Sequence, residues 1–171
     1  MEKIDLKHLQ IVGEGCHGKV YRLDETRCLK VCKKTESMQM EYRVLKLTKG
    51  YPQFPKVYSC EGRYMIREYI DGQNIKQYIR KKGFDDVLAR ELTELIKTFI
   101  KLKFVRIDIR MNEVFVTKDK KIRIVDTTRY LDKKAAYPKK MLRVLEDLGY
   151  KKQYMEFLRK NYPKFYEKWN R

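Results

Sequence analysis

The sequence predicts an α+β fold, with short antiparallel strands in the first part of the chain and mainly helices after them. Three observations carry that expectation. β-Formers flank a glycine-rich stretch at residues 11–23, a strand–turn–strand pattern occupies 54–70, and apolar residues at helical spacing run from Leu88 to Leu102. With 171 residues, 43% of them hydrophobic, the chain is long enough to bury a core as one domain or two closely packed lobes.

Residues 4–9 read as a turn of helix or an edge strand. Gly13, Gly15 and Gly18 then come in G-x-G-x-x-G spacing. That spacing serves a dinucleotide fold, a phosphate-covering hairpin or an ordinary glycine-rich hairpin. A dinucleotide site needs a helix to begin at the glycines, whereas Lys19-Val20-Tyr21-Arg22-Leu23 alternates like a strand. Arg27-Cys28-Leu29-Lys30-Val31 forms a third strand with a lysine in its middle. Residues 36–47 have helical spacing, with Met38, Tyr42, Leu45 and Met40 as apolar contacts, and Gly50-Tyr51-Pro52 ends them.

Residues 54–60 and 64–70 read as strands around Glu61-Gly62-Arg63, and Asp71-Gly72 breaks the pattern. Asn74 is placed to cap a short helix that stops at Gly83, and Asp85 to cap a longer one ending near Lys103. Its residues Leu88, Leu92, Leu95, Ile96, Phe99 and Leu102 form one stripe. Val114-Phe115-Val116 and Ile122-Arg123-Ile124-Val125 then make a hairpin joined by polar residues 117–121. Asp108 precedes the hairpin and Asp126 comes directly after it, so their carboxylates either converge on one site or are solvated turn residues. Pro138 opens a helix ended by Gly149, and residues 151–160 form another before Tyr162-Pro163.

The net charge of +18 favours polyanions: nucleic acid, an acidic protein or phosphate-rich ligands. Lysines and arginines are spread along the chain, so charge alone names no partner. No apolar run reaches membrane-span length, and MEKIDLKHLQ is too charged for a signal peptide. The four cysteines, Cys16, Cys28, Cys32 and Cys60, contain no C-x-x-C pair and read as free thiols. A soluble, cytoplasmic protein without a membrane partner is expected.

In order, GEGCHGKVY, the lysine of CLKV, Glu41, REYIDG, and the paired loops RIDIRMNEV and IVDTT resemble the protein-kinase-like fold. The resemblance covers residues 11–128, and the layout is similar to small atypical kinases: RIO-type enzymes, the kinase of the tRNA-threonylcarbamoyl complex and aminoglycoside phosphotransferases. It implies a bilobal α+β architecture: an antiparallel-sheet N-lobe over 1–67, a hinge over 68–73 and a reduced, mainly helical C-lobe over 74–171. It also implies ATP and Mg2+ as cofactors and a protein Ser/Thr hydroxyl as acceptor. Gly13, Gly15, Gly18 and Val20 would cover the nucleotide, the backbone from Glu68 to Ile70 would bind adenine, and Lys30 would hold phosphates while paired to Glu41, with Glu36 the competitor. Asp108 would be the catalytic-loop aspartate and Asp126 the magnesium ligand.

The chain departs from that pattern in three places. Arg106 stands where a histidine is usual, and Thr127-Thr128 come after Asp126 in place of Phe-Gly. The asparagine expected five residues after Asp108 is Glu113, with Asn112 one residue early, so either serves as the second metal ligand. Two alternatives to a protein kinase stay open: a nucleotide-binding pseudokinase that docks RNA or an acidic protein, and a small-molecule phosphotransferase.

Overall fold

Five strands form one antiparallel sheet: β1 (Ile11–Gly15), β2 (Gly18–Arg22), β3 (Arg27–Cys32), β4 (Val57–Glu61) and β5 (Tyr64–Glu68), in the order β1-β2-β3-β5-β4. The computed structural model describes residues 5–170, so Ile4 of the first expected element lies outside the described residues. The rest of that element contains one 3-10 turn, Leu6–His8. β3 is the central strand and buries Cys28, Leu29 and Lys30 in succession. A strand covered on both faces has to provide partners for any charge it carries.

Two residues after β3 the helix α1 (Thr35–Leu47) begins, and it packs on β3 and β4. Its buried stripe is Met38, Glu41, Val44 and Leu45. Met40, expected in that stripe, is exposed, and Val44 takes the inward position. The spacing 38–41–44/45 is one helical face, so Glu41 sits in the middle of the apolar contact.

Asp71-Gly72, read as a break, leads into a three-residue strand, β6 (Gly72–Asn74). It pairs with the hairpin β7 (Val114–Thr117) and β8 (Ile122–Ile124) in a second antiparallel sheet of order β6-β7-β8. Such a short strand has no period to read, and its pairing partner lies about 40 residues later in the chain. The Asn74 side chain accepts from the Lys76 N–H at the start of α2 (Ile75–Lys82), which stops at Gly83 with φ 81°. Asp85 accepts from the Leu88 N–H and caps α3 (Asp86–Lys101).

Three more helices complete the chain: α4 (Lys139–Asp147), α5 (Lys151–Asn161) and α6 (Pro163–Trp169). The last was not expected, because Tyr162-Pro163 reads as a stop. Proline is also at home in the first turn of a helix, where its missing N–H costs nothing. Trp169 of α6 is buried and stacks on Phe165 at 4.7 Å.

The core is continuous from α1 to α6. Phe54, Phe99, Phe104 and Tyr130 meet at its centre, with Phe99 and Tyr130 only 4.8 Å apart between ring centroids. Ile124 donates to the Gln53 carbonyl at 2.8 Å, and Arg123 pairs with Glu68 at 2.8 Å. These contacts tie β8 to the segment leading into β4 and to the end of β5. The four cysteines are free thiols, and no helix among the described residues is long and apolar enough to cross a membrane.

Candidate active site

Lys30 lies opposite Val20 on β2 and Met65 on β5. Its ammonium donates to Glu41 Oε2 from α1 and stands 3.6 Å from Asp126 Oδ2. Burial pulls the Lys30 pKa down, but the charges of Glu41 and then Asp126 outweigh it and leave it raised. Glu36, in the first turn of α1, makes no contact with the lysine among the described residues. Arg67 of β5 approaches the other Glu41 oxygen, Nε to Oε1 at 3.9 Å, beyond hydrogen-bond distance. Glu41 is therefore flanked by two buried cations.

Asp126 stands just beyond β8. The Val125 N–H donates to the Glu113 carbonyl at 2.8 Å, so the hairpin brings Glu113 and Asp126 to one end. Asp126 Oδ1 accepts from the Thr128 N–H at 3.0 Å and the Thr128 hydroxyl at 2.7 Å. Burial pushes its carboxyl pKa up. Lys30 and the Thr128 hydrogen bonds outweigh that and hold it below the usual range, with a smaller contribution from His17 at the tip of the β1–β2 hairpin.

Glu113 is turned inward. Arg110 donates to Oε1 and the Tyr130 hydroxyl to Oε2, both at 3.1 Å. Burial and then the Asp126 charge push its pKa up to about 7, with Arg110 pulling the other way. Asn112 is exposed, and it is its backbone carbonyl, held by Asn74 Nδ2 at 3.0 Å, that makes the contact. Of the two candidates, Glu113 turns its carboxylate inward to Arg110 and Tyr130, near enough for the Asp126 charge to act on it, and Asn112 lies at the surface.

Asp108 sits on the loop after α3, 5% exposed. Backbone bonds from Arg106 to Tyr130 (3.3 Å) and from Ile107 to Ala135 (2.8 Å) bind this loop to the segment beyond Asp126. Arg106, standing where a histidine is usual, donates through Nε to the Asp108 carbonyl at 3.0 Å. Asp108 Oδ1 accepts from the N–H groups of Lys140 and Met141, at 2.9 and 3.3 Å, in the first turn of α4. The carboxylate thus caps a helix that the sequence did not connect with it, and Oδ2 makes no hydrogen bond among the described residues.

The glycines are not equivalent. A Cβ on Gly15 would meet nothing within 4 Å, and one on Gly13 would touch only Val20 at ordinary distance. Gly18, at φ 155°, would drive a Cβ to 2.0 Å from the Val31 carbonyl oxygen of β3. Gly18 is therefore required by strand packing, and Gly13 and Gly15 keep the hairpin bare. In the connection after β5, the Ile70 N–H has no partner among the described residues, while Tyr69 donates to the Thr26 carbonyl. Cys28 Sγ donates to the Glu68 carbonyl at 3.6 Å. The Glu68 side chain points the other way, into a cavity of about 810 Å³ with Arg123, Tyr42 and Tyr58.

Among the described residues no group of three or more His, Cys, Asp or Glu side chains is arranged for a metal. Asp126 and Glu113 supply two carboxylates, a number that suits magnesium when phosphate oxygens and water complete its shell. Asp126 Oδ2 forms an ion pair with Lys30 at 3.6 Å, without a hydrogen bond between them. Sequence reasoning missed Arg67, Arg110, Thr128 and Tyr130. Only Thr128 carried a local signal, a hydroxyl two residues after an aspartate.

Residues 32–160 match the ABC1 atypical kinase-like domain. The matched span contains Glu41, Asp108, Asn112, Glu113 and Asp126, and the glycine hairpin and Lys30 precede it. No curated protein matches the chain. An antiparallel sheet leading into a helical region with hairpin-borne acids, together with that match, makes the chain a member of the ABC1 atypical kinase-like domain family.

Proposed function

We propose that the chain is an ATP- and magnesium-dependent protein kinase acting on Ser/Thr hydroxyls. Family membership supports a kinase-like, ATP-binding function. The observation that carries the finer reading is the cluster in which buried Lys30 joins buried Glu41 to half-buried Asp126. Protein kinases need both the lysine–glutamate pair and the metal-binding aspartate in place.

In this reading the glycine hairpin covers the phosphates, Lys30 neutralises them, and the Ile70 N–H receives the adenine edge. Asp126 and Glu113 would hold magnesium, which would supply neutralisation of phosphate charge. The acceptor oxygen bonds to the γ-phosphorus as its bond to the β–γ bridging oxygen breaks. ADP leaves, and the hydroxyl proton passes to Asp108 Oδ2.

One observation favours a second reading, a nucleotide-binding pseudokinase. Asp108 is almost covered and half engaged by α4. The test is incubation with γ-labelled ATP, magnesium and Ser/Thr peptides for wild type, Asp108→Asn and Asp126→Ala. Asn at 108 keeps an oxygen for the α4 amides but accepts no proton, so a kinase loses transfer while still binding ATP. Asp126→Ala loses transfer too. Wild type that binds ATP and labels nothing points to the pseudokinase, and an unchanged rate in Asp108→Asn removes the role given to Asp108.

A further inference from the structure

The segment that leads from Asp126 to the helix capped by Asp108 is cationic on its outside. From Arg129 to Arg143 it carries six exposed cations, Arg129, Lys133, Lys134, Lys139, Lys140 and Arg143, against one exposed acid, Asp132. None of the six makes an ion pair among the described residues. Some exposed lysines elsewhere are paired, as Lys97 with Glu94 and Lys121 with Glu91, and others, such as Lys81 and Lys82 on α2, are not paired among the described residues.

Position gives these charges their meaning. One end of the segment is fixed at Asp126 by Thr128, and the other reaches Asp108 through the Lys140 and Met141 amides. Its middle runs beside the catalytic loop, where Ala135 bridges Arg106. An acceptor that brings a hydroxyl to Asp108 comes up to the carboxylate that this segment contacts through Lys140 and Met141. Unpaired cations there attract an anion and repel a cationic one.

We propose that the acceptor is an acidic peptide, a serine or threonine flanked by aspartate or glutamate. This rests on the kinase reading. Single-stranded nucleic acid is the other polyanion with matching charge, but it is held by exposed aromatic rings on which bases stack. The two aromatic rings of the segment are turned inward: Tyr130 is buried in the core, and half-buried Tyr137 donates its hydroxyl to the Trp169 carbonyl. The exposed remainder is a row of point charges suited to carboxylates.

The test uses the full chain and reads binding separately from transfer. Fluorescence anisotropy is measured with a labelled Glu-flanked serine peptide, its Gln-flanked counterpart and a single-stranded RNA of similar length. Variants are Lys133→Glu/Lys134→Glu and Lys139→Glu/Lys140→Glu, with Lys81→Glu/Lys82→Glu on α2 as a control of equal charge change. The Glu peptide should bind about tenfold or more tightly than the Gln peptide, and weaken steeply between low and moderate salt. Either segment variant should remove that preference while the α2 control keeps it. Equal binding of both peptides overturns the proposal, as does an equal loss in the control, which would mean net charge alone. Tighter binding of RNA through the same lysines would also overturn it. Transfer separates the two layers: selective binding without label defeats the kinase reading and leaves the docking surface, whereas label passed equally to both peptides defeats the acidic preference and leaves the kinase.

Discussion

Glu113 shows how one side chain can be held against its ordinary chemistry. Burial and a neighbouring carboxylate raise it from the usual 4.5 to about 7, so between those pH values the folded chain holds a proton that the unfolded chain has lost. Stability from this group is complete below about pH 4.5 and is lost as pH rises through about 7. Glu113→Gln removes that dependence. Urea unfolding at several pH values should show the variant gaining on wild type across this window, by on the order of 3 kcal/mol at most. Equal pH profiles would show that the carboxyl is not protonated in the fold. Lys30 and Glu41 pose the opposite case, two buried charges whose costs are offset by each other and by Asp126 and Arg67. The lysine and the glutamate were legible through the kinase-like resemblance, which pairs a mid-strand lysine with a helix glutamate. Arg67 was not, because an arginine in an alternating strand usually points to solvent.

At the scale of elements, the glycine hairpin divides its labour. Gly18→Ala would force a Cβ into the β3 backbone at a positive φ, whereas Gly15→Ala meets open space. Thermal unfolding should show Gly18→Ala destabilised by about 1–3 kcal/mol. Gly15→Ala should unfold within about 0.5 kcal/mol of wild type while altering nucleotide binding. Equal melting of the two variants would remove the distinction. The motif spacing was plain in the sequence, but which glycine serves packing depends on the strand beside it. Several helix ends were legible because their signals are local. Asn74, Asp85, Gly83 and Gly149 act at their own positions. α6 was missed because Pro163 is compatible with both a stop and a start.

Across the whole molecule, Phe54, Phe99, Phe104 and Tyr130 join the approach to β4, the end of α3 and the segment after Asp126. Tyr130 passes that packing to the site through its hydroxyl on Glu113. Phe99→Ala should cost about 3–5 kcal/mol. Because the cluster is shared, urea unfolding should remain one transition, with circular dichroism and aromatic fluorescence moving together to a lower midpoint. Two separated transitions would show that the sheet and helical regions fold apart.

Sequence alone determined the α+β class and most strands and helices, and the kinase-like resemblance pointed to the charged residues Lys30, Glu41 and Asp126. The elements come from periodicity, capping chemistry and spacing, all of which act over a few residues. Tertiary structure decided that the Glu113 carboxylate turns inward to Arg110 and Tyr130 while Asn112 stays exposed, that Asp108 caps α4, and that six exposed cations lie on the segment that joins Asp126 to that helix. Each depends on chain segments brought together from a distance, where burial and backbone direction settle what a residue's neighbours in the sequence do not.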